Sequence, residues 1–123
     1  MSAKEVGEKL VAFCKKGANM ESINTLYHDD VESIEAGDAP GMERHMKGIA
    51  AVRKKNEWWM ENHEVHESEV EGPLPHGDDR FCVIFRYDIT NKPSKQRMQM
   101  KEVGLFTLKD GKVIKEEFFY SMG

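Results

Sequence analysis

Three glutamates stand where this sequence offers acid–base chemistry: Glu32 and Glu35, three residues apart in "LYHDDVESIE", and Glu102 in "MQMKEVGLF". A pleated strand sends alternate side chains to opposite faces, so Glu32 and Glu35 cannot both face water if one side of their strand covers a core. One of the two then lines a cavity. Two arrangements stay open: Glu35 on the cavity side, or Glu35 as a solvated strand-end carboxylate with Ile34 defining the core face. Glu102 shares strand parity with Met98, Met100 and Phe106, which sets its carboxyl among apolar side chains; an ion pair with Arg86 is the alternative. A poorly solvated carboxyl has a raised pKa, and a second carboxylate nearby raises it further. One member of such a pair holds a proton near neutral pH, as a general acid must.

Other reactive side chains are less telling. The five histidines are His28, His45, His63, His66 and His76, and in "HEVH" a strand sends His63 and His66 to opposite faces, so no metal site is expected. His45, in an irregular loop near Met42 and Met46, is placed to reach a cavity rim and titrate near neutral pH, with a plain surface position as the alternative. Cys14 and Cys82 match no metal or redox spacing and read as buried free thiols. Phosphate-loop, dinucleotide and nucleophile-elbow patterns are missing, so any chemistry is expected to run without a cofactor.

Composition narrows the classes. The 123 residues, 39% hydrophobic and 33% charged, fit one domain spanning 1–123 with a single core. No apolar run approaches the roughly 20 residues of a membrane helix, so no membrane partner is expected. The segment "MSAKEVGEKL" lacks the basic-then-apolar pattern of a secretory signal, and a cytoplasmic location is the expectation. Eighteen Lys and Arg against twenty-two Asp and Glu give a formal charge of −4. The basic residues are scattered among acids, which argues against nucleic acid as a partner.

These side chains need elements to hold them. Val6, Leu10, Phe13 and Cys14 fall on one face of a first helix that Gly17 ends. Asn19 is placed to cap a second, with Met20, Ile23, Leu26 and Tyr27 as its buried stripe. Val31–Ala36 reads as a short strand, and "AGDAPGMERHMKG" as a loop. A third helix from Gly48 to about Asn62 carries Ile49, Val52, Asn56 and Trp59 on one face and is expected to bury mainly Trp59. Trp58 is left free for the pocket mouth or a contact with another copy. The second half switches to period two: "HEVHESEVEG", "RFCVIFRYDIT", "RMQMKEVGLFTL" and "KVIKEEFFYS" read as four antiparallel strands separated by "PLPHGDD", "NKPSK" and "KDG". Helices first and a strand meander later predict an α+β layer fold. Both faces of the sheet carry apolar residues, and three helices cover only one, so the other face is expected to meet a second copy of the chain.

This order of elements resembles the nuclear transport factor 2-like superfamily, which includes ketosteroid isomerase and the SnoaL-like polyketide cyclases. The resemblance rests on "LYHDDVESIE" as the turn into the first strand, "GIAAVRKKNEWW" as the third helix and "FTLKDGKVIKEEFFY" as the closing hairpin, and it covers nearly the whole chain. It implies a curved antiparallel sheet forming a cone, three N-terminal helices on its concave face, a conical apolar pocket, and a homodimer through the sheet. Aligned on Leu26, Tyr27 and Asp30, Glu35 falls where ketosteroid isomerases carry their general base, with Glu102 as the second acid, following the logic of a carboxylate working beside a carboxyl kept neutral. The implied ligand-binding side chains are Tyr27, His45, Trp58, Phe85, Tyr87, Met98, Met100, Phe106, Phe118 and Tyr120. Two departures stand out: no tyrosine precedes Tyr27, with Val11 or a neighbour where the isomerases have a phenol, and their oxyanion-hole acid aligns near Gly104. A steroid substrate is therefore disfavoured. The implied function is binding of a small apolar or aromatic ligand with cofactor-free isomerase, cyclase or dehydratase chemistry. Non-catalytic ligand binding, and a protein-interaction module using the sheet face, are the alternatives.

Overall fold

The computed structural model describes residues 2–37 and 43–121, so positions 38–42 of the expected loop, Met42 included, lie outside the described residues. Helix α1 spans Ala3–Lys15. Its start is a reciprocal cap in which the Ser2 hydroxyl accepts from the Glu5 N–H at 3.2 Å and the Glu5 carboxylate reaches back to Ser2. Its end is set by Gly17, whose φ of +72° a side chain rarely adopts. Helix α2 spans Asn19–Leu26, one residue earlier than expected, with Ala18 at the capping position and no side-chain cap. Helix α3 spans Ile49–Asn62.

Six strands form one curled, unclosed sheet in the order β2-β1-β6-β5-β4-β3: β1 Tyr27–Ile34, β2 His45–Lys47, β3 His63–His76, β4 Arg80–Asn91, β5 Gln96–Lys109 and β6 Lys112–Phe119. The sheet is mixed and not wholly antiparallel, because β1 runs parallel to β6 while every other pairing is antiparallel. A meander of four strands reverses three times, which leaves its last strand alongside the much earlier β1. Such a long crossover is what a parallel pair requires.

Three boundaries differ from expectation, each for a local reason. β1 begins at Tyr27 directly after α2, and an irregularity between Tyr27 and Glu32 absorbs the acidic "HDD" stretch. The chain after β1 folds back as the short β2, invisible to periodicity because it is three residues long. β3 continues through "PLPH", since the register skips between Glu71 and Leu74 and thereby accommodates Gly72 and Pro73 without breaking the ladder.

The core lies between the helices and the inner face. Val6 and Leu10 of α1, Leu26 of α2, Val31 of β1 and Val52 of α3 meet Phe81, Val83 and Phe106, all essentially without solvent contact. Phe81 and Phe106 stack with ring centroids 5.1 Å apart. The fully buried residues of α3 are Val52 and Lys55, whereas Trp59, expected as its main core residue, is half-buried. Its ring stacks instead on His63, at 4.6 Å. Among the described residues no helix is long and apolar enough to cross a membrane.

Candidate active site

The inner face of β4 and β5 supplies one wall. Their register sets Phe85 beside Glu102, Tyr87 beside Met100 and Ile89 beside Met98, so one parity carries these side chains inward together. β6 adds Phe118, with Tyr120 just beyond its end, and α3 adds Trp58 and Trp59. Ile89 aside, these residues line with Tyr27 and Phe106 a hollow of about 590 Å³, inside the roughly 300–1,000 Å³ typical of small-molecule sites. Glu35 and Glu102 both line it. His45 does not: it sits on edge strand β2 with Nε2 3.3 Å from the Glu32 carboxylate, facing out. The short β2 ladder pairs Glu32 with Lys47, which fixes Glu32 and its partners outside the cavity. The question of the two glutamates is thereby decided in favour of Glu35.

Arg86 lies on the outer face, 3.6 Å from Glu71 and 4.0 Å from Glu69, and does not pair with Glu102. Cys14 lines the cavity, and its thiol is pushed up to about 12, chiefly by burial and then by Glu116, so it is no thiolate. No group of His, Cys, Asp and Glu side chains capable of holding a metal ion occurs among the described residues.

A polar network that sequence reasoning missed forms part of the cavity lining. The Lys55 ammonium donates to Glu116 Oε2 at 3.0 Å, to Glu35 Oε1 at 3.1 Å and to the Ser33 hydroxyl, which itself donates to Glu116 Oε2 at 2.6 Å. Tyr27 donates its phenol to the other oxygen of Glu116. The parallel register that pairs Ser33 with Glu116 is what brings β1 and β6 together here. Two signals in the sequence pointed this way. Glu116 shares parity with Phe118 and Tyr120, and Lys55 is the only one of "RKK" that falls three residues after Val52 and four before Trp59.

The glutamates differ in company. Glu35 accepts from Lys55 on one oxygen and from the Tyr120 phenol, at 3.3 Å, on the other. Glu116 is saturated by Tyr27, Ser33 and Lys55. Among the described residues Glu102 has no hydrogen bond or ion pair. Burial pushes its carboxyl up to about 8; the neighbouring Glu35 adds to the rise and Lys55 opposes it. Burial also disfavours the Lys55 charge, but Glu116 and Glu35 outweigh it and raise its pKa above the ordinary value. The Tyr120 phenol is raised to about 12, first by burial and then by Glu35, and burial raises Tyr27 and Tyr87 as well. All three phenols are therefore donors at neutral pH. The site thus sets together one carboxyl without a partner among the described residues, one engaged at both oxygens, and a third locked into the wall.

Gly104 packs against the aromatic wall. A Cβ there would lie 2.8 Å from the Phe106 ring and 3.2 Å from that of Phe118, so a side chain cannot enter without displacing the aromatic wall. Glu102, two residues away on the same face, is the carboxyl the strand can carry.

Residues 1–120 match the family described as the SnoaL-like domain. A Mesorhizobium loti protein, provisionally named a SnoaL-like polyketide cyclase, is 39% identical, with 98% of this chain and 100% of that one covered and a TM-score of 0.91. A similarly named protein from Jannaschia is 21% identical over 98% of this chain and 88% of its own, with a TM-score of 0.77. A nuclear transport factor 2-like protein from Burkholderia thailandensis, 13% identical over 98% and 92%, has a TM-score of 0.82 and shares the fold. Among curated proteins, none matches. By family match and by the course of its backbone, the chain belongs to the SnoaL-like family and has the nuclear transport factor 2-like fold.

Proposed function

We propose that the cavity binds a small, uncharged, largely apolar organic molecule and transfers a proton within it without a cofactor, in an isomerase, cyclase or dehydratase type of reaction. The observation that carries this reading is the Glu102 carboxyl, which faces the cavity with no partner among the described residues and a pKa raised to about 8 by burial and by Glu35. Glu35 takes the proton from a carbon beside a carbonyl, that C–H pair becomes the C=C bond of an enol, and the carbonyl oxygen receives the proton of Glu102. Both halves occur among aromatic walls that exclude water, where a donor aimed at developing charge acts most strongly.

The charge of the ligand follows from the network. Lys55 has three N–H groups, and Ser33, Glu35 and Glu116 take all three, so the cavity offers an anionic ligand no unengaged ammonium.

The test is hydrogen–deuterium exchange beside the carbonyl of a small bicyclic ketone, 2-tetralone, in D2O. Wild-type protein is expected to speed the exchange, and Glu35→Gln to lose that acceleration while still binding the ketone. Binding with no acceleration by the wild type would leave ligand binding without turnover. One observation favours that second reading: both oxygens of Glu35 are already engaged, by Lys55 and by Tyr120.

The outer sheet face is our proposed dimer surface. Ile84, Val103 and Leu105 lie there beside the exposed Phe119, flanked by the Lys115–Glu117 pair at 3.1 Å. A second copy is the partner that an apolar face ringed by both charge signs fits best.

A further inference from the structure

We propose that Lys55 is a positioning residue for the acid–base pair: by engaging Glu35 and Glu116 and not Glu102, it leaves Glu102 as the cavity carboxyl that carries the proton. This rests on the acid/base reading above and adds to it a residue that touches no reacting atom.

The geometry makes the argument. Lys55 projects from α3 with its ammonium 3.0 Å from Glu116 of β6 and 3.1 Å from Glu35 after β1, and its Nζ lies 4.7 Å from the centroid of the Phe118 ring. Only 11% of its side chain is exposed. Ser33 takes the remaining N–H and passes a hydrogen bond on to Glu116, so the ammonium is fixed by two strands at once, β6 through Glu116 and β1 through Ser33 and the Glu35 that follows it. The other titratable groups lining the cavity are Cys14 of α1, Tyr27 of β1, His63 of β3, Tyr87 of β4, Glu102 of β5 and Tyr120; burial keeps the thiol and phenols neutral, and the His63 ring is held by Trp59, on whose ring it stacks and whose carbonyl its Nδ1 meets at 2.8 Å. The charges that act on Glu102 are those of Glu35, Glu116 and Lys55, so the balance there is three carboxyls against one ammonium. Two of the carboxyls are within contact of that ammonium and the third is not.

If all three ionised, a poorly solvated site would carry an excess of two negative charges, which low local dielectric makes costly. One proton must stay, and it stays on the carboxyl that no cation or hydroxyl reaches. Lys55 itself cannot serve as a nucleophile, because Glu116 and Glu35 keep it protonated.

The test follows the side-chain carboxyl carbon signals of Glu35 and Glu102 through a pH titration by NMR. Glu116→Gln is compared with Glu116→Gln/Lys55→Met, so that the lysine is removed without stranding a buried Glu116 anion. Removing Lys55 should move the uppermost Glu102 step up by about one unit or more, and the Glu35 signal should join that step because the two carboxyls then share the proton. Lys55→Arg in the otherwise native chain should leave the Glu102 step within a few tenths of a unit, since the charge is kept. A merely structural lysine would change the melting temperature and leave the Glu102 step where it was, and that result overturns the inference. Failure of the underlying reading looks different: a wild-type Glu102 midpoint near 4.5 removes the acid itself, whereas a high midpoint indifferent to Lys55 removes only the role assigned here.

Discussion

The ammonium of Lys55 lies 3.0 Å from the carboxylate of Glu116, with 11% and 4% of the two side chains exposed, and the pair joins the middle of α3 to the middle of β6. An ion pair this dry returns little net stability, because the desolvation of both partners offsets their attraction. Breaking it from one side is another matter.

Lys55→Met in the otherwise native chain strands Glu116 and Glu35 and should cost about 3–5 kcal/mol in denaturant unfolding. Adding Glu116→Gln should recover a substantial part of that loss. Equal stability of the single and double variants would mean that the carboxylates find water once the lysine is gone.

Glu102 makes stability depend on pH in a definite direction. Its folded pKa of about 8 lies above the ordinary carboxyl value of 4.5, so between those values the native state binds more protons than the unfolded chain. The contribution of this group is therefore full below about pH 4.5, falls as pH rises, and is lost through pH 8. Glu102→Gln should remove that slope and leave the protein more stable than wild type at pH 9, by on the order of 3 kcal/mol, with no gain at pH 4. Urea unfolding at the two pH values checks it, and a variant equally or less stable at pH 9 would count against the buried, unpartnered carboxyl.

Ligand charge separates the readings of the cavity. Calorimetric titration at pH 7 with 2-acetylnaphthalene and with 2-naphthoate should give affinity at least about tenfold higher for the ketone, because the anion must approach three carboxyls without an unengaged ammonium to meet it. Tighter binding of the naphthoate would sink the assignment of an uncharged ligand.

Gly104→Ala should lower stability by about 1–3 kcal/mol, since its Cβ would sit 2.8 Å from the Phe106 ring. Thermal melting reads the loss. An unchanged melting temperature would show that the aromatic wall yields easily, and that a larger side chain at this position was never excluded.

Much of this protein was legible residue by residue. Period-four spacing in Val6, Leu10 and Cys14 marked α1, and period-two spacing carried Phe85, Tyr87, Met98, Met100 and Glu102 to one face, because these patterns depend only on backbone geometry within a single element. Glu35 was separable from Glu32 only by alignment, since a strand end offers no inward periodicity of its own. His45 was misplaced, as its neighbourhood depended on a three-residue strand too short to leave a pattern. Lys55, Ser33 and Glu116 were overlooked for a deeper reason. Each taken alone is an ordinary polar residue, and what makes them a site is the parallel pairing of β1 with β6 and the crossing of α3 above it. Sequence thus determined which side chains shared a face, through local periodicity. Tertiary structure alone decided which carboxyl received a cation and which was left with its proton, because that depends on distances between elements far apart along the chain.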